Sequence, residues 1–243
     1  MAVETGPGAG GWLEDTRTSY DTVADNYADV TRHLLDETPE ERAVLAIFAD
    51  MVRAQGGGTV ADVGCGPGRV TAHLRQLGVD AFGIDLSPGM IEVARREHPG
   101  LRFDVGSMTD LALAGASMAG LVAWYSLIHV PDDEIGRVFA HFQRVLRPGG
   151  PLLLGFHVGD ESRLITQGYG GHPMKVVVHR RRHDQLIAWL GDAGFTVEAC
   201  RTLTSAESKL GGIILARRQV ADPAEPSQWP APLTERGTSG TGA

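Results

Sequence analysis

The fold is decided by the stretch TVADVGCGPG at residues 59–68, where a short apolar run ends directly in glycines. A run without alternation of polar and apolar residues is typical of a parallel strand buried on both faces. Small residues after such a strand let a ligand approach the backbone, and ligands of open α/β sheets bind at this carboxyl-terminal edge. The stretch therefore predicts a strand over 59–63 followed by a binding loop over 64–68.

Strand-like and helix-like runs alternate after this loop. Strands are predicted over 81–84, 101–105, 120–124 and 152–156, and helices over 70–77, 88–97 and 132–146. This alternation predicts a parallel sheet with right-handed crossovers and helices on both faces. After a less regular stretch, a helix over 183–193 precedes two strands over 195–203 and 209–217, and their short connection predicts an antiparallel hairpin that closes the sheet.

Two amphipathic helices are predicted before the first strand, over 19–35 and from Pro39 to the glycines at 56–58. Residues 1–18 and 219–243 are expected to be flexible tails, since glycine, proline, serine and threonine are frequent there. Residues 19–218 are expected to form one domain, with its helical part, 19–57, as lid and cap.

Composition and charge limit the classes of function. The 243 residues are 42% hydrophobic and 21% charged, which is ordinary for a globular protein, and no apolar run is long enough to span a membrane. The basic cluster at 179–183 is short and is expected to be a solvated surface, with a nucleic-acid contact as the minor alternative. Neither lysine lies in a P-loop motif. The distant cysteines, Cys65 and Cys200, favour a cytoplasmic location.

The glycine loop is flanked by two acidic residues with different expected roles. A dinucleotide fingerprint would require a third glycine at position 69, where the chain has Arg69, and this disfavours a nicotinamide-dependent oxidoreductase. Asp85 ends the second strand 21 positions after Gly64, where a carboxylate can accept both hydroxyls of a ribose. It could also cap the next helix, although Ser87 suits that role. Asp62 suits an ammonium group better than a phosphate.

Three segments together resemble the class I S-adenosylmethionine-dependent methyltransferases, in particular small-molecule enzymes similar to those of ubiquinone and menaquinone biosynthesis. The segments are VADVGCGPG at 60–68, GIDLSPGMIEVAR at 83–95 and RVLRPGGPLLLGF at 144–156. The resemblance extends from about Tyr20 to Arg217. It implies a three-layer, Rossmann-like α/β fold with a mostly parallel seven-stranded sheet and a reversed terminal strand. It also implies S-adenosylmethionine as cofactor and S-adenosylhomocysteine as product.

The resemblance also assigns roles to residues along these segments. The loop from Gly64 to Gly68 would hold the methionine moiety, Asp85 the ribose, and Leu86 and Met90 would border the adenine. Relatives often have an acid in the third motif, where this chain has Ser107. Cofactor contacts are thus predicted for Asp62, Gly64, Cys65, Gly66, Gly68, Asp85, Leu86, Met90, Ser107, Met108 and Tyr125. Packing is the alternative role for the Cys65 and Met90 side chains.

Methyl transfer requires an acceptor aligned behind the methyl carbon and, for a hydroxyl, removal of a proton. His129 follows the fourth strand, where similar enzymes often carry a histidine, and is the predicted base or orienting residue. The alternative is a histidine packed in the core and bonded to a carbonyl. The function expected is methyl transfer to an oxygen, nitrogen or carbon of a small molecule. The alternatives are another reaction of the same cofactor or a non-catalytic cofactor-binding subunit.

An N-terminal helical lid over the acceptor pocket is predicted from the spacing of Tyr20 and Tyr27, which places both rings on one helix face. The stretch from 157 to 179 would supply its second part, with a flexible run at 168–171. The residues predicted to contact substrate or form the lid are Tyr20, Tyr27, His157, Tyr169 and His172. The alternative is that the tyrosines only dock the helix. No metal, nucleic acid or membrane is expected as a partner, and the protein is expected to be a monomer or a homodimer.

Overall fold

A computed structural model describes residues 11–204 and 210–220 of the chain. Its helices are α1 (Gly11–Thr31), α2 (Leu34–Glu37), α3 (Pro39–Ala54), α4 (Arg69–Gln76), α5 (Pro88–Glu97), α6 (Asp132–Val145) and α7 (His183–Asp192). Its strands are β1 (Thr59–Val63), β2 (Asp80–Asp85), β3 (Phe103–Val105), β4 (Gly120–Trp124), β5 (Pro151–His157), β6 (Ser162–Gly168), β7 (His172–His179), β8 (Phe195–Thr204) and β9 (Leu210–Arg218). A 3₁₀ turn covers Leu127–His129. The outer parts of both predicted tails, and most of the connection between the last two strands, lie outside the described residues.

The main sheet has seven strands in the order β3-β2-β1-β4-β5-β9-β8. The first five in this order are parallel, and β9 runs antiparallel to both of its neighbours. The expected mostly parallel α/β sheet with a reversed last strand is confirmed. From β1 the chain continues through β2 and β3 on one side, and then returns to place β4 on the other side of β1. The carboxyl ends of β1 and β4 therefore open a crevice, which is where such sheets bind ligands.

Helices cover both faces of this sheet, as the continuous apolar strands require. Alternate residues of the strands face opposite layers: Leu121 and Ala123 of β4 pack in the layer of α6 and α7, whereas Val122 and Trp124 pack in the layer of α3 and α4. The central strands are consequently buried along their length. In the part of the chain that the structure describes, no helix is long and apolar enough to cross a membrane.

The first helix begins at Gly11, eight residues before the predicted start at Ser19 and inside the region expected to be a tail. Trp12 packs against the main hydrophobic core, and the buried Ser19 hydroxyl accepts a hydrogen bond from the backbone N–H of Lys175 at 2.8 Å. These contacts are with distant parts of the chain, so the local pattern of residues 11–18 does not indicate them.

The irregular stretch after β5 is a separate two-stranded hairpin, β6–β7, which the sequence did not predict. Polar and apolar residues do not alternate regularly in this hairpin. Strand β6 is largely exposed, and the pairing register shifts between Ile165 and Gln167. The run at 168–171, expected to be a flexible hinge, forms the turn, in which Tyr169, Gly170 and Gly171 all have positive φ angles.

Candidate active site

A cavity of about 900 Å³, including its open mouth, lies at the carboxyl ends of β1, β2 and β4 with α1 along one side. Thirteen predicted residues line it: Tyr20, Tyr27, Asp62, Gly64, Cys65, Gly66, Asp85, Leu86, Met90, Ser107, Met108, Tyr125 and His129. The structure therefore brings together residues spread over more than 100 positions of sequence.

The first glycine of the loop, Gly64, is required because Ser126 lies very close to its backbone. Gly64 has a φ of 76°, and a Cβ there would lie 2.2 Å from the Cβ of Ser126, whose hydroxyl donates to the Val63 carbonyl at 2.7 Å. No side chain can be accommodated at this position. The glycine keeps the loop against the segment after β4 and its backbone exposed to the cavity.

Gly68 has a different role from the one predicted, since it lies outside the cavity wall. It is the N-cap of α4 with a φ of 84°, and a Cβ there would lie 2.6 Å from the ring of Phe103. It allows the helix to pack closely on β3. The Cys65 side chain also packs against Phe103, and burial raises the pKa of its thiol. The Cys65 side chain therefore has the packing role that was the alternative prediction, although Cys65 also borders the cavity.

Asp85 is held by two backbone N–H groups. Its Oδ2 accepts from Gly66 at 2.7 Å and its Oδ1 accepts from Ser87 at 2.9 Å. The Ser87 hydroxyl accepts from the Met90 N–H at 3.0 Å and is the predicted N-cap of α5. Each carboxylate oxygen can accept more than one hydrogen bond, so Asp85 keeps acceptor capacity toward the cavity. Burial raises its pKa.

Asp62 is fully buried, and only one of its two carboxylate oxygens has a hydrogen-bond partner among the described residues. Its Oδ2 accepts from the Thr71 hydroxyl at 2.6 Å, whereas its Oδ1 has no hydrogen-bond partner among the described residues. Burial raises the pKa of this carboxyl to about 7, and the nearby Arg69 partly opposes the shift. An unpaired buried carboxylate oxygen is costly without a donor. A cationic group in the cavity would supply that donor.

Arg69, the first residue of α4, complements this acid. Its guanidinium Nη1 is buried and has no hydrogen-bond partner within residues 11–204 and 210–220. The cavity wall therefore carries an unpaired acceptor on Asp62 and an unpaired donor on Arg69. Together they match the ammonium and carboxylate groups of an amino acid. From the sequence Arg69 is only a residue that disfavours a dinucleotide site, although its place at the start of the helix after the glycine loop could have indicated a binding role.

His129 lies in the 3₁₀ turn, and its two ring nitrogens have different partners. Nδ1 lies 2.9 Å from the Val177 carbonyl oxygen, and Nε2 lies 2.7 Å from the hydroxyl of Tyr20. Since a carbonyl can only accept, Nδ1 carries the proton, and Nε2 accepts from Tyr20. Burial lowers the pKa of His129 to about 4, and the nearby His179 and His157 add to the shift. The imidazole is therefore neutral at pH 7.

Comparisons with known proteins show which proteins this chain is similar to. Residues 60–150 match the family described as a methyltransferase domain. The demethylmenaquinone methyltransferase of Renibacterium salmoninarum is 30% identical over 141 residues, which are 58% of this chain and 58% of that protein. A ubiquinone biosynthesis O-methyltransferase of Xanthomonas axonopodis is 32% identical over 160 residues, 58% of this chain and 64% of that protein. The matches thus span less than two thirds of the length of these two relatives.

A solved structure matches over most of the chain. The 1,6-didemethyltoxoflavin-N1-methyltransferase of Burkholderia thailandensis, with bound 1,6-didemethyltoxoflavin and S-adenosylhomocysteine, superposes with a TM-score of 0.67. It is 20% identical and covers 90% of this chain and 94% of its own. At this identity the likeness shows a shared fold. The chain therefore shares the fold of this enzyme, and its residues 60–150 match a methyltransferase domain.

The turn that carries His129 is fixed by a buried arginine. The side chain of Arg181 is 2% exposed, donates to the carbonyls of Leu127 and Val130, and forms an ion pair with Asp132 at 2.8 Å. The two carbonyls flank His129, so Arg181 holds the position of the imidazole. The sequence predicted a solvated basic cluster here, which is wrong for Arg181 because its partners lie about 50 residues away.

Helix α1 spans the cavity from α5 to the β6–β7 hairpin. Near its middle, the Asp21 carboxylate accepts from the Ser87 hydroxyl at 2.6 Å and from the Gly89 N–H at 2.9 Å. The first turns of the helix contribute wall residues that the sequence placed in a tail: Trp12, Leu13, Thr16 and Arg17. Only the docking of the helix places them there.

Three residues predicted for the lid or the substrate lie outside the wall of the cavity. The Tyr169 ring packs behind Tyr27, with centroids 4.8 Å apart, and the His157 ring packs against Tyr125 at 5.2 Å. His172 begins β7 near Gly170. They support wall residues or the hairpin turn, and their role as substrate or lid residues stays a prediction. Met90, in contrast, both packs between α1 and α5 and lines the cavity.

Proposed function

We propose that this protein transfers the methyl group of S-adenosylmethionine to an oxygen, nitrogen or carbon atom of a small organic molecule, and releases S-adenosylhomocysteine. The observation that carries the proposal is the pair of unpaired polar atoms, Asp62 Oδ1 and Arg69 Nη1, in the same wall as Asp85. We also propose that the reaction takes place in the cytoplasm. The state of assembly, monomer or homodimer, stays an expectation.

The residues present fit this cofactor along its length. Asp62 and Arg69 would hold the ammonium and carboxylate of the methionine moiety, and Asp85 would accept from the ribose hydroxyls. Leu86, Met90 and Met108 offer apolar contacts for adenine. The Ser107 hydroxyl is 2.7 Å from that of Thr109, so a polar contact to adenine from this side chain would share that hydrogen bond.

When bound, S-adenosylmethionine supplies an electrophilic methyl group on a sulfonium. The chain's own residues then have two tasks, which are to exclude water and to take up the acceptor's proton. Helix α1 covers the cavity with Tyr20 and Tyr27, and the neutral His129, whose Nε2 is hydrogen-bonded to Tyr20, lies in the same wall. This arrangement supports methylation of a hydroxyl, which loses its proton as the methyl group arrives, or of an amine, which can lose a proton after the transfer.

We expect S-adenosylmethionine and S-adenosylhomocysteine to stabilise the protein against heat, and NAD and ATP to leave it unchanged. The wall offers acids and an amino-acid pair rather than a cradle for phosphates. A ligand at 100 times its Kd should add about 2.7 kcal/mol to the free energy of unfolding. Thermal unfolding with each ligand, followed by calorimetry, measures this. Equal stabilisation by NAD would contradict the proposed site.

Asp62 should make S-adenosylhomocysteine affinity depend on pH. Because the pKa of Asp62 is raised to about 7 in the free protein, an ammonium ligand must displace its proton at lower pH. Affinity should fall by about tenfold per pH unit below 7 and level off above it. By the same linkage, the contribution of Asp62 to the stability of the free protein decreases as pH rises from about 4 to 7.

The variant Asp62→Asn should bind S-adenosylhomocysteine more weakly and without this slope, measured by calorimetry between pH 5.5 and 8.5, roughly 1.5 units on either side of the pKa. Asp80→Asn is the matched control, since Asp80 begins β2 at the far end of the sheet, is 63% exposed and pairs with Arg75. A slope that survives in Asp62→Asn would assign the proton to another group.

A further inference from the structure

The hydrogen bonds of His129 leave its imidazole without a free nitrogen. Nδ1 donates to Val177, and Nε2 accepts from Tyr20, so no lone pair of the ring is open to an acceptor molecule in the cavity. The Tyr20 oxygen, in contrast, donates its one proton to His129, and although it is also in hydrogen-bond contact with the Tyr169 hydroxyl it has a second lone pair and lines the cavity. The group able to accept a proton from a bound molecule is therefore the tyrosine hydroxyl.

We propose that Tyr20 and His129 form a proton relay, in which the Tyr20 hydroxyl takes the proton of the methyl acceptor and passes its own proton to Nε2 of His129. The inference rests on the proposed function, and it applies to an acceptor that is methylated at a hydroxyl. It makes Tyr20, which was predicted as a substrate or lid residue, the catalytic residue in contact with the acceptor. His129 becomes the final holder of the proton.

The bonds and charges of this step balance. The acceptor's O–H bond breaks, and its oxygen forms the new bond to the methyl carbon as the bond from that carbon to sulfur breaks with its electron pair left on sulfur. The acceptor's proton bonds to the Tyr20 oxygen while the original hydroxyl proton moves to Nε2. Tyr20 ends neutral and His129 ends as an imidazolium, which loses its proton to water after product release.

The surroundings favour transfer of both protons together. Burial, with Tyr169, Tyr27 and Asp85 nearby, raises the pKa of Tyr20 well above its usual value, so a free tyrosinate is disfavoured. The groups that face His129 are Tyr20 from α1, His157 from β5 and His179 from β7, and none of them is an anion that would stabilise an imidazolium. In the proposed step, however, a positive charge leaves sulfur as one appears on the imidazole, so the net charge of the cavity is unchanged.

Docking of the helix and hairpin sets the geometry of the relay. Tyr20 is fixed between the Lys175 contact of Ser19 and the contacts of Asp21 with α5, while Val177, on the same strand as Lys175, orients the His129 ring. The two partners are 109 residues apart in the chain. Both are thus positioned by β7, so loss of the helix or of the hairpin would separate them.

The variant Tyr20→Phe tests the relay because it keeps the ring and frees Nε2. If His129 were the direct base, its free nitrogen would keep or raise the rate. The relay predicts that kcat falls at least tenfold for methylation of catechol or 4-nitrophenol, with unchanged S-adenosylhomocysteine affinity. Tyr20→Phe/His129→Gln should be no slower than His129→Gln alone. Thr22→Val, exposed on the same helix, is the control for helix packing and should keep the wild-type rate.

A second measurement does not depend on turnover. In protein labelled with ¹⁵N at histidine and saturated with S-adenosylhomocysteine, His129 should carry its proton on Nδ1, and the Nε2 resonance should shift in Tyr20→Phe to the value of a free acceptor. An Nε2–H tautomer, or a Tyr20→Phe variant as fast as wild type, would overturn the relay. If neither phenol is methylated, the tautomer of His129 and the shift of its Nε2 resonance alone test the relay. Failure of the wild-type protein to bind S-adenosylhomocysteine would instead overturn the proposed function.

Discussion

Replacing His129 by alanine should lower turnover of a hydroxyl acceptor by about 100-fold or more, since general-base catalysis commonly contributes about 10²–10⁴ in rate. The loss is expected whether His129 takes the proton directly or through Tyr20, because Nε2 is the last acceptor in either case. S-adenosylhomocysteine should bind with wild-type affinity, since His129 contacts Tyr20 and Val177 rather than the glycine loop. An amine acceptor would show a smaller effect.

The measurement is release of S-adenosylhomocysteine under saturating conditions. His33→Ala is a suitable control, because His33 is 70% exposed on the surface and does not line the cavity. His129→Ala that is as fast as wild type would leave the imidazole with the packing role that was the alternative from the sequence.

Replacing Asp85 by alanine should weaken S-adenosylhomocysteine binding by about 1.5–3 kcal/mol, or about 10- to 150-fold, the range for a hydrogen bond to a charged group. The variant removes the carboxylate expected to accept from the ribose hydroxyls. It also frees the N–H groups of Gly66 and Ser87, which Asp85 holds in the structure. The experiment must therefore separate the ribose contact from the ordering of the loop.

The 2′,3′-dideoxy analogue of S-adenosylhomocysteine makes that separation. Wild-type protein should prefer the natural ligand strongly, and Asp85→Ala should bind the two ligands almost equally, measured by calorimetry. Asp104→Asn is the control, since Asp104 lies on the adjacent strand, is 42% exposed and pairs with Arg102. An undiminished preference for the natural ligand in Asp85→Ala would show that this carboxylate orders the loop and does not bind ribose.

Local sequence patterns predicted most of the α/β framework. The bounds of β1, β4 and α5 agree with the prediction to the residue. These elements have strong local signals, such as a continuous apolar run for a buried strand or Ser87 and Pro88 at the start of α5. The β6–β7 hairpin was missed because most residues of β6 are exposed, and an exposed strand has no apolar period of its own.

The sequence by itself also determined the candidate cofactor positions, because the glycine loop and Asp85 occupy fixed places at the ends of successive strands. Tertiary structure alone decided how the polar groups are paired. Within the described part of the chain it left Asp62 Oδ1 and Arg69 Nη1 without partners, buried Arg181 beneath the His129 turn, and joined Tyr20 to His129. The physical reason is the separation of the partners in the sequence. Strand and helix signals depend on neighbours within a few residues, whereas a hydrogen bond across 109 residues exists only after both segments have docked on the same sheet.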